Sequence, residues 1–169
     1  MAAVVIYSLK RLCSPAVHEV LEGHPDLVLR RVTFSDFYKG YFELLSQLTE
    51  APKVSGATFR NRLFTQRCSP TYFVLVVEDR AKSIVVASIT LLIEYKFIRG
   101  CGKVGHIEDV VVKRSYRRLG LGSILLSRAE ALAREQGCYK VILDCSESNT
   151  PFYVKSDYEV KGSAMAKYF

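Results

Sequence analysis

The sequence predicts a single α/β domain built on a mixed sheet with helices packed against it. Two observations carry that expectation. Runs rich in β-branched and aromatic residues interleave with stretches of helical apolar spacing along the chain. A basic, glycine-spaced turn, Arg117-Arg118-Leu119-Gly120-Leu121-Gly122, also stands between the apolar run Val110-Val111-Val112 and a helix-like stretch from Ser123 to about Gln136. Such a turn is built to hold phosphate, because glycine lets backbone approach the ligand and the N–H groups at a helix start point towards an anion. It is not a Walker loop, since no Gly-Lys-Ser/Thr follows, nor the Gly-x-Gly-x-x-Gly fingerprint.

Taken in order, residues 27–32 form the first expected strand, with 1–26 an N-terminal extension to one domain over 27–169. Ser35 or Asp36 is placed to cap a helix whose Phe37, Tyr41, Leu44, Leu45 and Leu48 recur at helical spacing. Residues 55–64 predict a shorter second helix. Residues 72–77 and 84–93 flank the turn-like Asp79-Arg80-Ala81-Lys82 and predict a hairpin. Gly100, Gly102 and Gly105 punctuate a loop before a strand over 106–112. On the helix after the basic turn, Leu121, Leu125, Ala129 and Leu132 share a face, and Gly137 is placed to end it. A strand over 139–144, a short helix over 150–156 and a last strand over 159–168 complete the chain.

Composition narrows the function. At 169 residues and 49% hydrophobic, the chain is long enough for a substantial core, and no apolar stretch approaches a membrane span. Ala2 to Leu9 is apolar but lacks the basic region and cleavage site of a signal peptide. Cys13, Cys68, Cys101, Cys138 and Cys145 are odd in number and include no Cys-x-x-Cys pair, which argues against a disulfide framework and a metal site. A reducing, cytoplasmic setting fits. Arg11-Leu12 and His18 loosely resemble an N-terminal peroxisomal address, although Glu19 stands where an apolar residue belongs. The net charge of +7 is spread without a run of five basic residues. It fits small polyanionic ligands, and neither a nucleic acid nor a membrane is an expected partner.

The basic turn has the Arg-x-x-Gly-x-Gly spacing of the pyrophosphate loop of GNAT acetyltransferases. Ile107-Glu108-Asp109-Val110-Val111-Val112 and the segment Gly137 to Cys145 sharpen the resemblance, as do Ile93 to Ile98 and Gln47-Leu48-Thr49. From about Leu29 to the C-terminus, the chain resembles the glucosamine 6-phosphate N-acetyltransferases of that superfamily. The resemblance implies a splayed strand pair holding acetyl-CoA as co-substrate. It implies acetyl transfer to the 2-amino group of D-glucosamine 6-phosphate, a step towards UDP-N-acetylglucosamine, by an intertwined homodimer. Val110, Val111 and Val112 would pair with the pantetheine, and Arg117, Arg118, Leu119, Gly120, Leu121 and Gly122 would cradle the pyrophosphate. Asn149 and Tyr153 match the family's coenzyme-contacting asparagine and its proton-donating tyrosine. Thr49, Lys96, Glu108, Asp109, Asp144 and Lys167 fall at substrate-side positions.

Elementary chemistry agrees in outline. An amine attacks a thioester only when unprotonated, and a pKa of about 8 for an amine beside electron-withdrawing groups needs only a modest acceptor. Asp144 and Glu108 are the candidates, and the sequence does not choose between them. The departing thiolate gains from a proton donor, the role that Tyr153 would fill. No covalent acyl-enzyme is required, so no cysteine need be a nucleophile. Each residue also has an ordinary structural reading: Tyr153 as packing after Phe152, Asp144 as a strand end, Lys96 as an exposed strand lysine. Two other functions share these motifs, an acetyltransferase acting on a protein or polyamine amine and a non-catalytic acyl-CoA-binding module.

Three departures from the family pattern stand out. Thr150-Pro151 replaces a valine, which a helix's first turn accepts. Ser156-Asp157-Tyr158 lacks a glycine, so Asp157 has to supply a left-handed turn. Lys167 stands where the family carries arginine for the sugar phosphate, and offers a point charge without the bidentate fork.

Overall fold

The computed structural model describes residues 17–168. Ala2 to Leu9, Cys13 and the Arg11-Leu12 pair lie outside them. One six-stranded sheet runs in the order β1 (His18–Leu21), β2 (His24–Arg31), β3 (Tyr72–Asp79), β4 (Ile84–Tyr95), β5 (Lys103–Val112) and β6 (Cys138–Leu143). Neighbours from β1 to β5 are antiparallel, and β6 joins β5 in parallel. A parallel neighbour needs a crossover, supplied by helix α4 (Leu121–Glu135). The sheet is therefore mixed, as expected.

Both faces of the central strands are buried, so β3 and β4 read as continuous apolar runs. The strand period of two divides β3 cleanly. Phe73, Leu75 and Val77 join the α4 side of the core with Leu121, Leu125, Ala129 and Leu132. Val74 and Val76 face the other way, onto Leu44 of α1 (Tyr41–Leu45) and Phe59 and Leu63 of α2 (Gly56–Cys68). Ser55 caps α2 by accepting the Thr58 N–H at 3.1 Å. The helix runs to Cys68, four residues beyond the expected end at Phe64.

Several elements differ from the sequence expectation. β2 begins at His24, and β1 precedes it, so the sheet reaches back into the segment read as an extension. A helix expected from Ser35 or Asp36 divides into a 3₁₀ turn, Phe34–Tyr38, and α1, because Gly40 is left-handed between them (φ 76°). Thr33, rather than Ser35, is the cap residue there. Gly105 lies within β5: a Cβ there would stand 3.1 Å from Leu91 Cδ1 and 3.3 Å from Ala133 Cβ, so the missing side chain lets α4 settle on the strand. The loop before β5 is instead the single turn α3 (Ile98–Cys101), with Arg99 and Gly100 left-handed. Residues 159–168, expected as a strand, are irregular and exposed. A strand exists by pairing, and among the described residues the sheet ends at β6.

Near the 3₁₀ turn, Arg30 ties two acidic residues together. Its guanidinium donates to Asp36 at 2.6 and 2.8 Å and to Glu78 at 2.7 and 2.9 Å. Asp36 is fully buried and also accepts the Thr33 N–H at 2.7 Å. Burial alone would raise the Glu78 pKa, but hydrogen bonds from Lys39 and Arg30 outweigh it and leave the carboxyl below its ordinary value. Removing one member of a buried ion pair strands the others without a counter-charge. Arg30→Met should therefore destabilise the fold by about 3–5 kcal/mol, read as a lower urea midpoint at an unchanged slope. A depressed carboxyl contributes stability that is lost as pH falls through its folded pKa. Glu78→Gln should consequently flatten the fall of Tm with pH below about pH 4, and an unaltered slope would show that the network does not hold this charge.

Candidate active site

The site begins with a misfit between two strands. Ser88 of β4 pairs with Val111 and Thr90 with Glu108, so Asp109 and Val110 together stand opposite Ile89 alone. This is a bulge, and Asp109 takes a left-handed φ of 52° within it. On the other side of β5, pairing with β6 stops at Ile107 and Leu143. From Glu108 to Val112, β5 keeps β4 on one edge and has no strand on the other among the described residues. A strand edge with free backbone groups is thereby left inside the fold.

A cleft of about 330 Å³ occupies the gap. Ile107, Glu108, Asp109 and Val110 form one wall, and Asp144, Cys145, Ser146, Asn149 and Tyr153 form the other, with Leu48 after α1 at the rim. Tyr153 comes from α5 (Thr150–Val154), whose second residue is Pro151, accepted in a first turn. Asp157 does supply the expected left-handed turn after α5 (φ 62°). Tyr158 then returns over the helix, its ring centroid 6.0 Å from that of Tyr153.

The acidic side chains influence one another. Burial, then the charges of Asp109 and Asp144, hold the Glu108 carboxyl above its ordinary pKa, with His106 opposing. Tyr153 is 9% exposed. Burial, then neighbouring Cys145, raises its phenol, so it keeps its proton at neutral pH. Among the described residues its hydroxyl has no hydrogen-bond partner.

Past Val112 the chain turns through Arg114–Tyr116 into the basic loop. Gln47 Oε1 accepts the Arg114 N–H at 2.9 Å and ties α1's trailing end to this turn. Arg117 donates to the Val112 carbonyl at 3.2 Å, while Arg118 and Gly120 adopt left-handed φ values of 72° and 74°. Arg117, Arg118, Leu119 and Gly120 are exposed, and α4 starts immediately behind them. An exposed basic loop feeding a long helix's N-terminus is suited to a diphosphate.

Not every sequence-selected side chain reaches the cleft. Val111 and Leu121 are buried at 4% and 1% exposure in the two cores, so only their backbone is available to a ligand. Val112 packs partly against the α4-side core. Gly122 is close-packed: a Cβ there would meet the Phe152 ring at 3.2 Å, which ties α4 to the helix carrying Tyr153. Thr49 is exposed beside Leu48, and Lys167 is exposed in the C-terminal segment; neither lines the cleft. Lys96 also lies off the cleft lining and is paired with Glu94. Glu94 additionally meets His106 Nε2 at 2.7 Å. Sequence reasoning passed over His106, although its position two residues before Glu108 on a strand puts both on one face.

Comparison with known proteins agrees with this geometry. Residues 35–162 match the model of the acetyltransferase (GNAT) family. Glucosamine 6-phosphate N-acetyltransferase 1 of Dictyostelium discoideum is 45% identical over 141 residues, covering 82% of this chain and 88% of that protein. The crystal structure of glucosamine-6-phosphate N-acetyltransferase from Arabidopsis thaliana superposes with a TM-score of 0.82 at 39% identity, covering 85% of this chain and 98% of that one. A Trypanosoma brucei acetyltransferase structure superposes with a TM-score of 0.80 at 41% identity, over 85% of this chain and 100% of its own. The free edge of β5, the basic loop ahead of α4 and these likenesses converge: the chain belongs to the GNAT family of acetyltransferases.

Proposed function

We propose that this acetyltransferase transfers the acetyl group of acetyl-CoA directly to the 2-amino group of D-glucosamine 6-phosphate, giving N-acetylglucosamine 6-phosphate on the way to UDP-N-acetylglucosamine. The observation that carries the reading is the meeting of Glu108, Asp109, Asp144 and Tyr153 in one cleft, at the end of a free strand edge that leads to the basic loop. Relatives that match most of the chain carry this activity in their names.

The residues divide the work. The unpaired edge from Glu108 to Val112 offers backbone donors and acceptors to the amide-bearing pantetheine arm, with Val110 packing along it. Arg117, Arg118 and the N–H groups from Leu119 to Gly122 meet the pyrophosphate. Asn149 contacts the coenzyme from the opposite wall. The pair of Glu108 and Asp144 takes the proton that the attacking amine sheds. Glu108's raised pKa makes it a better acceptor than an ordinary carboxylate. Tyr153, protonated and facing the cleft, gives its proton to the thiolate as the thioester breaks. Asp109 meets the sugar from within the cleft, whereas Lys96, Thr49 and Lys167, which lie off the cleft of a single chain, would meet the sugar and its phosphate at a subunit interface. A homodimer would bring the C-terminal segment of one chain to the sheet of the other. No bound metal enters the scheme, and a reducing compartment such as the cytoplasm suits the free thiols.

Acetyl-CoA-dependent thiol release, measured in parallel on glucosamine 6-phosphate, glucosamine, spermidine and a lysine peptide, tests the substrate. Strong preference for the phosphorylated sugar is expected. Turnover of spermidine or the peptide instead would replace the substrate and keep the fold. Tyr153→Phe preserves the packing but removes the proton, so kcat should fall on the order of 10²-fold while acetyl-CoA affinity stays near that of the parent; unchanged kcat would reject the donor role. Asp144→Asn separates the two acceptors. With Glu108 as base, losing a neighbouring negative charge lowers its pKa, and the acid limb of the kcat/KM profile moves to lower pH. Collapse of activity at every pH would make Asp144 the base.

A further inference from the structure

Tyr116 ends the 3₁₀ turn that follows β5 and stands immediately before Arg117, where the basic loop begins. Its ring is 8% exposed and packs in the α4-side core, as an aromatic side chain commonly does. The hydroxyl at its tip does more than packing requires. It donates to Asp79 Oδ2 at 2.6 Å and accepts from Lys82 Nζ at 2.8 Å. Asp79 ends β3 and Lys82 lies in the turn to β4, 37 and 34 positions earlier in the chain. Asp79 is 5% exposed, and the Lys82 N–H fixes its other oxygen at 3.0 Å. Burial would raise this carboxyl, but hydrogen bonds from Tyr116 and from Lys82 outweigh it and leave the pKa below its ordinary value. Asp79 is therefore a charged acceptor at neutral pH, and hydrogen bonds to charged groups are among the stronger ones.

Backbone bonds fix the chain as far as Tyr116: Lys113 N–H to the Val86 carbonyl and Tyr116 N–H to the Lys113 carbonyl, both at 2.8 Å. Beyond it the ties lengthen. Among the described residues, the Arg117 N–H reaches the Arg114 carbonyl at 3.3 Å and Arg117 Nε the Val112 carbonyl at 3.2 Å. Leu119 is 41% exposed. A second cavity, of about 220 Å³, opens beside it, lined by Gly23 to Leu27 with Asp79, Tyr116 and Leu119. On that side the loop lies over a cavity, so the Tyr116 hydroxyl is the last short tie before the two arginines.

We propose that Tyr116 is a positioning residue for the coenzyme: its hydroxyl, locked by Asp79 and Lys82, aims the basic loop at the pyrophosphate. This rests on the reading of that loop as the pyrophosphate site. Arginine side chains and backbone N–H groups meet a diphosphate only when they converge on it, and a loop ordered beforehand loses less freedom on binding. The ring of Tyr116 keeps the core filled, and the hydroxyl keeps the loop registered to the β3–β4 turn. On the same reading the thioester lies at the far end of the β5 edge, beside Tyr153. The lock therefore acts on binding of the donor and not on acetyl transfer itself.

Tyr116→Phe keeps the ring and removes the hydroxyl. The full chain and this variant would be compared with acetyl-CoA and with S-acetylpantetheine, which has the same thioester arm but no pyrophosphate, at saturating glucosamine 6-phosphate. KM for acetyl-CoA should rise about tenfold at an unchanged kcat, the signature of lost binding common to ground and transition states. The kcat/KM for S-acetylpantetheine should stay where it was, so the preference for acetyl-CoA narrows by the same factor. A tyrosine that only packs the core would move both donors alike or neither. Lys82→Met removes the second arm of the lock from a side chain that is 65% exposed. It should narrow the preference in the same direction, about threefold, and it carries the test should Tyr116→Phe not fold. Equal losses for both donors, a fall in kcat alone, or an unchanged preference would each overturn the proposal while leaving the acetyl-transfer reading in place. A parent protein that uses the two donors equally would place the pyrophosphate elsewhere, and that reading of the loop falls together with this one.

Discussion

Everything at the active site depends on the bulge that sets Asp109 and Val110 against Ile89. An extra residue in one strand breaks the ladder, bends the strand and increases its twist. Here it lies just past the last paired residues of β5 and β6, so the strands part there instead of continuing side by side. The left-handed backbone of Asp109 costs on the order of 1–3 kcal/mol. β4 maintains it by pairing with Glu108 on one side of the bulge and with Val111 and Val112 on the other. Apolar packing on both faces, with Ile89 buried in the α4-side core and Val111 in the α1/α2-side core, keeps the strand from slipping to relieve the strain.

The parting of the strands also arranges the electrostatics. Glu108, Asp109 and Asp144 surround the cleft, whereas Arg117 and Arg118 stand beyond the end of β5 in front of α4. Acidic and basic groups thus stand at opposite ends of one strand edge, an arrangement that suits the proposed long ligand with an anionic end and a reacting end. Burial, reinforced by repulsion from Asp109 and Asp144, keeps Glu108 as a proton acceptor of raised pKa beside the cleft. Positive charge elsewhere is partly committed to structure. Arg30 and Lys39 neutralise Asp36 and Glu78 on the opposite flank of the sheet, and Lys82 joins Asp79 and Tyr116. The excess of basic residues is therefore not one binding surface.

Packing links the two ends of the cleft. Gly122 opens the helix that receives the basic loop, and the Phe152 ring rests where its side chain would be. Phe152 in turn meets Tyr153 edge-on, with centroids 4.9 Å apart. The basic loop and the tyrosine of the cleft are consequently registered through one glycine and one aromatic ring. The last glycine of the Arg-x-x-Gly-x-Gly pattern thus answers a contact with α5 as much as the approach of a ligand.

The sequence by itself determined the mixed α/β class, the hairpin of β3 and β4, the basic loop ahead of α4, and the acidic, asparagine and tyrosine positions that line the cleft. These features are local: apolar period, glycine spacing and residue type write them into short stretches of chain. It also marked Asp157 as the residue able to turn left-handed, which it does. Tertiary structure decided what depends on partners distant in the chain. Gly105 looks like a loop glycine until Leu91 and Ala133 are brought against it, and Leu121 and Val111 look like ligand contacts until the two cores claim their side chains. The break at Gly40, the cap at Thr33 and the pairing of β1 follow from the ion network and the sheet edge, neither visible in a local window. Residues 159–168 carry strand-like composition, but a strand is a property of a pair, and only the fold decides whether an edge is there to receive it.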